Sequence, residues 1–305
     1  MGWLRVLKSA FAAAMRDDLL DWAATLSFYF LFSLFPAILL IAALLSEFRM
    51  QRLVGNLVVA LTAALPRTAA QLVAQQLQGL LRHHVPGLIS FDLVVLFYSA
   101  SQGFTGFMAA LNAAYEAPET RSYWHRLAIA FGLTFSVGIF IALALAAVVL
   151  GSKLLIILAG PVHAGFALTL AFPLLRWAVT FGLLIAAVAI LYRFAPNLAD
   201  RRSRGRVIAV TFAMTIWVIV SALLAAYVNN FSNYSAVYGS LGAVIALMLW
   251  FYLLALAVLL GAEIHHAWLR EHGLALGRAD TLNHARNSET LHRRPRGGGP
   301  ARPAA

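Results

Sequence analysis

The stretch VIAVTFAMTIWVIVSALLAAYVNNFSNYSAVYGSLGAVIALMLWFYLLALAVLLGA, residues 207–262, contains no Asp, Glu, Lys or Arg. A bilayer core of roughly 30 Å is crossed by about 20 apolar residues in a helix, so this run is long enough for two crossings. Its polar middle, NNFSNYSAVYGS (229–240), predicts the turn between them. Lipid offers the backbone no hydrogen-bonding partner, so segments of this kind must satisfy themselves as helices. The stretch therefore decides the fold class: all-α, polytopic and membrane-embedded.

The rest of the chain extends the pattern. It is 62% hydrophobic and only 11% charged, well short of the roughly 25% charged residues of soluble domains. Uncharged runs predict spans at about 22–46, 88–114, 127–150, 174–195, 207–229 and 239–262, a bundle of six transmembrane helices within an integral membrane domain, 1–271. Arg16, Asp17, Asp18 and Asp21 separate a weakly apolar start from the first long span, which reads as an uncleaved anchor and not as a signal peptide. Placing both termini in the cytoplasm puts 17 basic residues inside and leaves 6 outside (Arg49, Arg52, Arg67, Arg82, Lys153 and Arg176). That asymmetry satisfies the positive-inside rule. A seven-span arrangement through 154–172 gives the same split. It would put GPVHAG near the midplane, so 154–172 is read as an extension of the third span followed by a broken, partly outward-facing piece.

Two amphipathic stretches predict surface helices. Residues 3–16 carry Leu4, Leu7, Phe11 and Met15 on one stripe with Arg5 and Lys8 opposite. Residues 68–82 set Leu72, Val73, Leu77, Leu80 and Leu81 against Gln71, Gln75, Gln78 and Arg82. From about 272 to 305 the composition turns Pro, Gly and Arg rich without apolar period, which predicts a disordered basic cytoplasmic tail.

Enzyme signatures are missing. The chain has no Cys, which excludes thiol nucleophiles, disulfides and cysteine metal sites. It also lacks HExxH, a GxxxxGK[ST] phosphate loop, a GxSxG elbow and a dinucleotide fingerprint. We expect no catalytic residue, no cofactor and no metal, and read the chain as a non-enzyme. His265, His266 and His272 with Glu263 could be ligands, but at a helix C-terminus histidines ordinarily serve the dipole and the interface. Polar residues within spans are the stronger lead, because each must find a partner away from lipid. Tyr29, Ser33, Asp92, Tyr98, Ser99, Gln102 and Asn112 form a candidate pathway along spans one and two. The competing explanation is interhelical hydrogen bonding, with Asp92 an interfacial residue at a helix N-terminus. Pro36 should kink span one, with Ser33 bonding near the freed carbonyl. Asn197 and Glu263 form a candidate inner-end anchor or gate, Glu263 pairing with Arg193 or an arginine of 201–206. Arg201, Arg202, Arg204 and Arg206 are expected to contact anionic lipid, at on the order of 1 kcal/mol each. Without interleaved aromatics they do not suit nucleic acid.

Four pieces in order, DWAATLSFYFLFSLFP (21–36), LYRFAPN (191–197), YGSLGA (238–243) and LWFYLLALAVLLGAEIHH (249–266), resemble the YihY/BrkB family of bacterial inner-membrane proteins. The resemblance covers about 10–270 and implies six helices with cytoplasmic termini. Members carry the labels virulence factor, serum-resistance factor and ribonuclease BN, and are discussed as exporters of lipid or other amphiphiles. The expected function is a transporter or flippase for such a molecule. The alternatives are a scaffold supporting envelope integrity and, far behind, a membrane-bound ribonuclease. Expected partners are membrane lipids and further copies or envelope proteins, with no nucleic acid.

Overall fold

A computed structural model describes residues 2–47, 71, 74–75, 88–159, 166–198, 205–230 and 234–273, with side chains over 2–34, 71, 74–75, 98–148, 173–198, 205–227 and 242–273. Seven helices follow one another: α1 (Trp3–Arg16), α2 (Leu19–Glu47), α3 (Leu88–Ala114), α4 (Tyr123–Ala159), α5 (Phe166–Phe194), α6 (Arg206–Asn230) and α7 (Tyr234–Glu271). No strand occurs among the described residues.

Among the described residues, four segments are long and apolar enough to cross a membrane: Tyr123–Val148, Pro173–Phe194, Arg206–Tyr227 and Gly242–Glu271. Leu19–Leu34 adds a shorter apolar helix. These segments turn large apolar side chains outward: Phe28, Phe32, Phe135, Ile139, Leu175, Val218 and Leu223 are all exposed. In water such a surface would drive aggregation; in lipid it is the solvated face. The chain is a multi-pass membrane protein.

Helix boundaries depart from the sequence reading in two places. Residues 154–159 continue α4, but 166–172 open α5 and run through Pro173 without a break. Apolar surroundings retain the helix even where proline removes one backbone bond. The turn expected over 229–240 is also shorter: α6 reaches Asn230 and α7 starts at Tyr234. Pro36 stands inside the unbroken α2. Ser33 Oγ donates to the Phe30 carbonyl at 2.9 Å and so does not serve the Phe32 carbonyl that Pro36 leaves free. The 68–82 stretch beyond residues 71, 74 and 75, the Arg201, Arg202 and Arg204 loop, the Asp92 side chain and the tail from 274 lie outside the described residues.

α7 is the centre of the bundle, packed against α1, α2, α3 and α6, while α4 and α5 pair alongside. α1 docks on α7 through small residues. Val6 and Ala10 are buried against Ile264 and Ala267. The stripe Leu4, Leu7, Phe11 and Met15 instead points away from the protein, as a helix lying in a membrane surface requires. The main core sits at this α1 end, where Leu19, Leu26, Met108, Leu111, Tyr115, Tyr192, Leu259 and Leu269 are fully or almost fully buried.

Candidate functional site

Polar side chains converge at the α1 end because two sharp corners bring helix ends together there. After α1, Asp18 takes a positive φ of 52°, and its carbonyl accepts from the Asp21 and Trp22 amides. After α3, Glu116 takes a φ of 50°, which lets the Ala117 amide reach back to the Asn112 carbonyl at 2.8 Å. Each is a helix stop of the left-handed type, here carried by an acidic residue in place of glycine. The Glu116 carboxylate then meets Arg16 at 3.1 Å and Arg270 at 3.0 Å, joining α1, α3 and α7. All three side chains are exposed, so the pairs place the elements more than they stabilise them.

The second group is better shielded. Arg121 forks onto Glu119, with Nε on Oε1 at 2.8 Å and an Nη on Oε2 at 2.6 Å. The same guanidinium donates to the Phe194 and Ala195 carbonyls at 3.3 and 2.9 Å, capping the C-terminus of α5 with positive charge. Asn112 is buried and works in both directions. Its Nδ2 donates to Glu119 at 2.9 Å, and its Oδ1 accepts from the Asn197 amide at 2.7 Å. Asn197 Nδ2 donates to the Pro118 carbonyl and to Thr120. Burial alone would raise the Glu119 carboxyl. The Arg121 hydrogen bonds and charge, with the Asn112 amide, outweigh that and hold it below the usual carboxylate range.

Next to this group lies a cleft of about 500 Å³. Ala109, Ala113, Ala117 and Pro118 form its apolar wall, and Asn112, Glu116, Glu119 and Arg126 its polar part. Arg126 stands over the Tyr123 ring at 5.9 Å. Tyr123 and Trp124 beside it are strongly exposed, as aromatic residues at a membrane–water boundary are.

Among the described residues, the expected pathway positions are not brought together in the lining of this cleft. Tyr29 is half-buried against Gly103 and Gly106, where α2 and α3 approach closely. Ser99 is buried, Gln102 half-buried and Tyr98 62% exposed. Of the seven, Asn112 lines the cleft. Ser101, a polar residue of the same span outside the candidate pathway, is fully buried and donates to the Tyr98 carbonyl at 2.7 Å.

Of the partners expected for Glu263, Arg201, Arg202 and Arg204 lie outside the described residues, and Arg193 is placed elsewhere. Arg193 is exposed and lies over the Phe194 ring, so it is not the partner. Glu263 is 1% exposed, its Oε1 has no hydrogen-bonding partner, and its neighbour is the Asp17 carboxyl. The histidines have packing roles. His265 Nδ1 lies 3.0 Å from the Tyr115 hydroxyl. His266 and His272 Nδ1 lie 2.9 and 2.8 Å from the Ala114 and Trp268 carbonyls, which can only accept, so both nitrogens carry protons. Among the described residues no three His, Asp or Glu side chains are placed to share a metal ion.

Two glycines complete the end. A Cβ on Gly261 would meet the Tyr192 hydroxyl at 2.5 Å and the Ala209 carbonyl at 2.6 Å. Gly205, at φ +81°, faces the Trp268 ring, which a Cβ would meet at 2.6 Å.

A family model described as "Virulence factor BrkB" matches residues 10–285. The ribonuclease-like protein YfkH of Bacillus subtilis (strain 168) is 31% identical over 259 residues, covering 85% of this chain and 93% of that protein. A UPF0761 membrane protein of Acinetobacter baylyi is 35% identical over 104 residues, 34% of this chain and 24% of its own. One from Xanthomonas campestris pv. campestris (strain B100) is 27% identical over 255 residues, 81% of this chain and 57% of its own. The chain thus spans little more than half the length of that longer relative. No solved structure matches it.

Proposed function

Since the chain belongs to the virulence factor BrkB family and is built as a multi-pass membrane protein, we propose that it moves a lipid or other amphiphilic envelope molecule across the bacterial inner membrane. The observation that carries this reading is the cleft at the end of α3. An amphiphile needs an apolar wall beside a polar rim, at the depth where head groups lie. Ala109, Ala113, Ala117 and Pro118 supply the wall; Asn112, Glu119 and Arg126 supply the rim; exposed Tyr123 and Trp124 mark the depth. In this reading six helices cross, and the α1 end with its basic loops faces the cytoplasm, where Arg201, Arg202, Arg204 and Arg206 meet anionic lipid. The sequence holds no phosphate-binding loop, so the driving force is an ion gradient, a partner ATPase or the substrate's own gradient.

A non-transporting scaffold is the second reading. What favours it is that Ser27, Ser33, Ser101 and Thr105 each donate to a carbonyl of their own helix and present no open polar track. The nuclease alternative draws its support from names, that of the Bacillus relative among them.

The test is reconstitution of the full chain into vesicles containing a head-group-labelled phospholipid. Inner-leaflet label should become accessible to an external quencher faster than in protein-free vesicles. Ala113→Trp, which fills the cleft, should slow this several-fold, and Val218→Trp on the lipid-facing surface should not. Equal rates with and without protein would favour the scaffold.

A further inference from the structure

The Asp17 and Glu263 carboxyls meet where the α1–α2 corner leans on α7. Glu263 is 1% exposed, and its Oε1 is buried without a partner. Asp17 Oδ2 is also buried without a partner, while Oδ1 accepts from Arg16 Nε at 3.3 Å. Of the charged groups around Glu263, Asp17 acts on it most strongly. An ionised carboxylate can only accept, so two of them facing each other leave both inner oxygens without a donor. One proton between them makes one a donor and the other an acceptor, and removes the repulsion of two like charges away from water.

Among the described residues no donor reaches Glu263 Oε1 or Asp17 Oδ2. No third metal-ligating side chain joins them among the described residues. His265 and His266 direct Nδ1 to Tyr115 and to the Ala114 carbonyl. Arg270 is engaged by Glu116, and Arg16 by Glu116 and by the outer oxygen of Asp17.

We propose that Asp17 and Glu263 share one proton and so form a proton-binding site that fastens the α1–α2 corner to α7. The charged and titratable groups around it come from every packed element. α1 gives Arg16, which favours the ionised form, and the turn after α3 gives Glu116, which opposes it. Tyr115 lies in the field of both Glu263 and Arg206, the first residue of α6. α7 contributes His265 and Arg270. From the α2 side Asp18 is exposed, and Asp21 lies near Tyr252. Loss of the shared proton would set two like charges against each other at the C-terminal end of α1, the helix that Val6 and Ala10 hold to α7.

The sign follows from linkage. The folded chain keeps a proton that the unfolded chain has released above the ordinary carboxylate range. Stability therefore declines as pH rises from that range through the titration of the pair. The test uses the full chain in lipid nanodiscs, with infrared spectra and thermal unfolding recorded from weakly acidic to alkaline pH. The parent should show the carbonyl stretch of a protonated carboxylic acid that fades as pH rises, with thermal stability falling over the same range. Glu263→Gln and Asp17→Asn each keep a donor for the remaining carboxylate, so either variant should lose the band and flatten the slope. If one variant fails to fold, the other carries the test. With no native Cys, labelling of Ala10→Cys relative to the exposed Leu4→Cys should rise several-fold with pH in the parent background and stay flat with Glu263→Gln. A parent without the band, or a band and slope unchanged in both variants, would overturn the proposal.

Discussion

At residue scale the structure turns on positions where one atom more or less decides the fit. Gly261 lies where α7 crosses α5 and α6, and the nearest obstacle that cannot swing aside is the Ala209 backbone carbonyl. Gly261→Ala should therefore force the helices apart and cost about 1–3 kcal/mol. A lower unfolding temperature in mild detergent would show it, and an unchanged one would mean that the crossing has slack. Tyr192 beside it donates to the Val258 carbonyl, so Tyr192→Phe in the same assay separates the hydrogen bond from the packing. The sequence did not single out Gly261, because nothing local to it identifies what it touches. Its partners are the Tyr192 hydroxyl on α5 and a carbonyl on α6, far away in the chain.

At the scale of elements, the Glu119–Arg121 fork binds the α3–α4 connection to the end of α5. Because the Glu119 carboxyl is held below its ordinary range, its contribution is complete at neutral pH and is lost as pH falls through the lowered value. Glu119→Gln should cost about 2 kcal/mol at neutral pH, in keeping with hydrogen bonds to charged groups. The deficit should shrink in acid, where the parent loses the same interaction; thermal unfolding across an acid titration measures it. A deficit independent of pH would mean that the side chain acts by shape alone. Residues 112, 119, 121 and 197 show what the sequence withheld. Uncharged length and loop charge made the helices and their order legible, since lipid dictates both. No periodicity links Asn112 to Asn197, because that contact exists only once the end of α3 meets the turn that follows α5. α1 teaches a related point. The large apolar residues define its stripe in sequence, but docking on α7 uses Val6, Ala10 and Ala14, since small side chains let helices approach and large ones suit lipid.

At the scale of the molecule, the orientation we propose has a direct check. Single cysteines at Ser232 and Ser288 should sort to opposite faces, residue 232 reacting with an impermeant thiol reagent in intact cells and residue 288 only after lysis. Reaction at 288 from outside would reverse the bundle. The distribution of hydrogen bonds carries a mechanical consequence. Among the described residues, bonds that join different elements gather at the α1 end: Arg121 to the end of α5, Asn112 to Asn197, Tyr192 to α7, and Tyr115 to His265. Farther from it, Ser33 and Thr180 spend their hydroxyls on their own helices. Among the described residues the α1 end is thus a rivet, like that of a hand fan: the polar bonds that fix one blade against the next are made there.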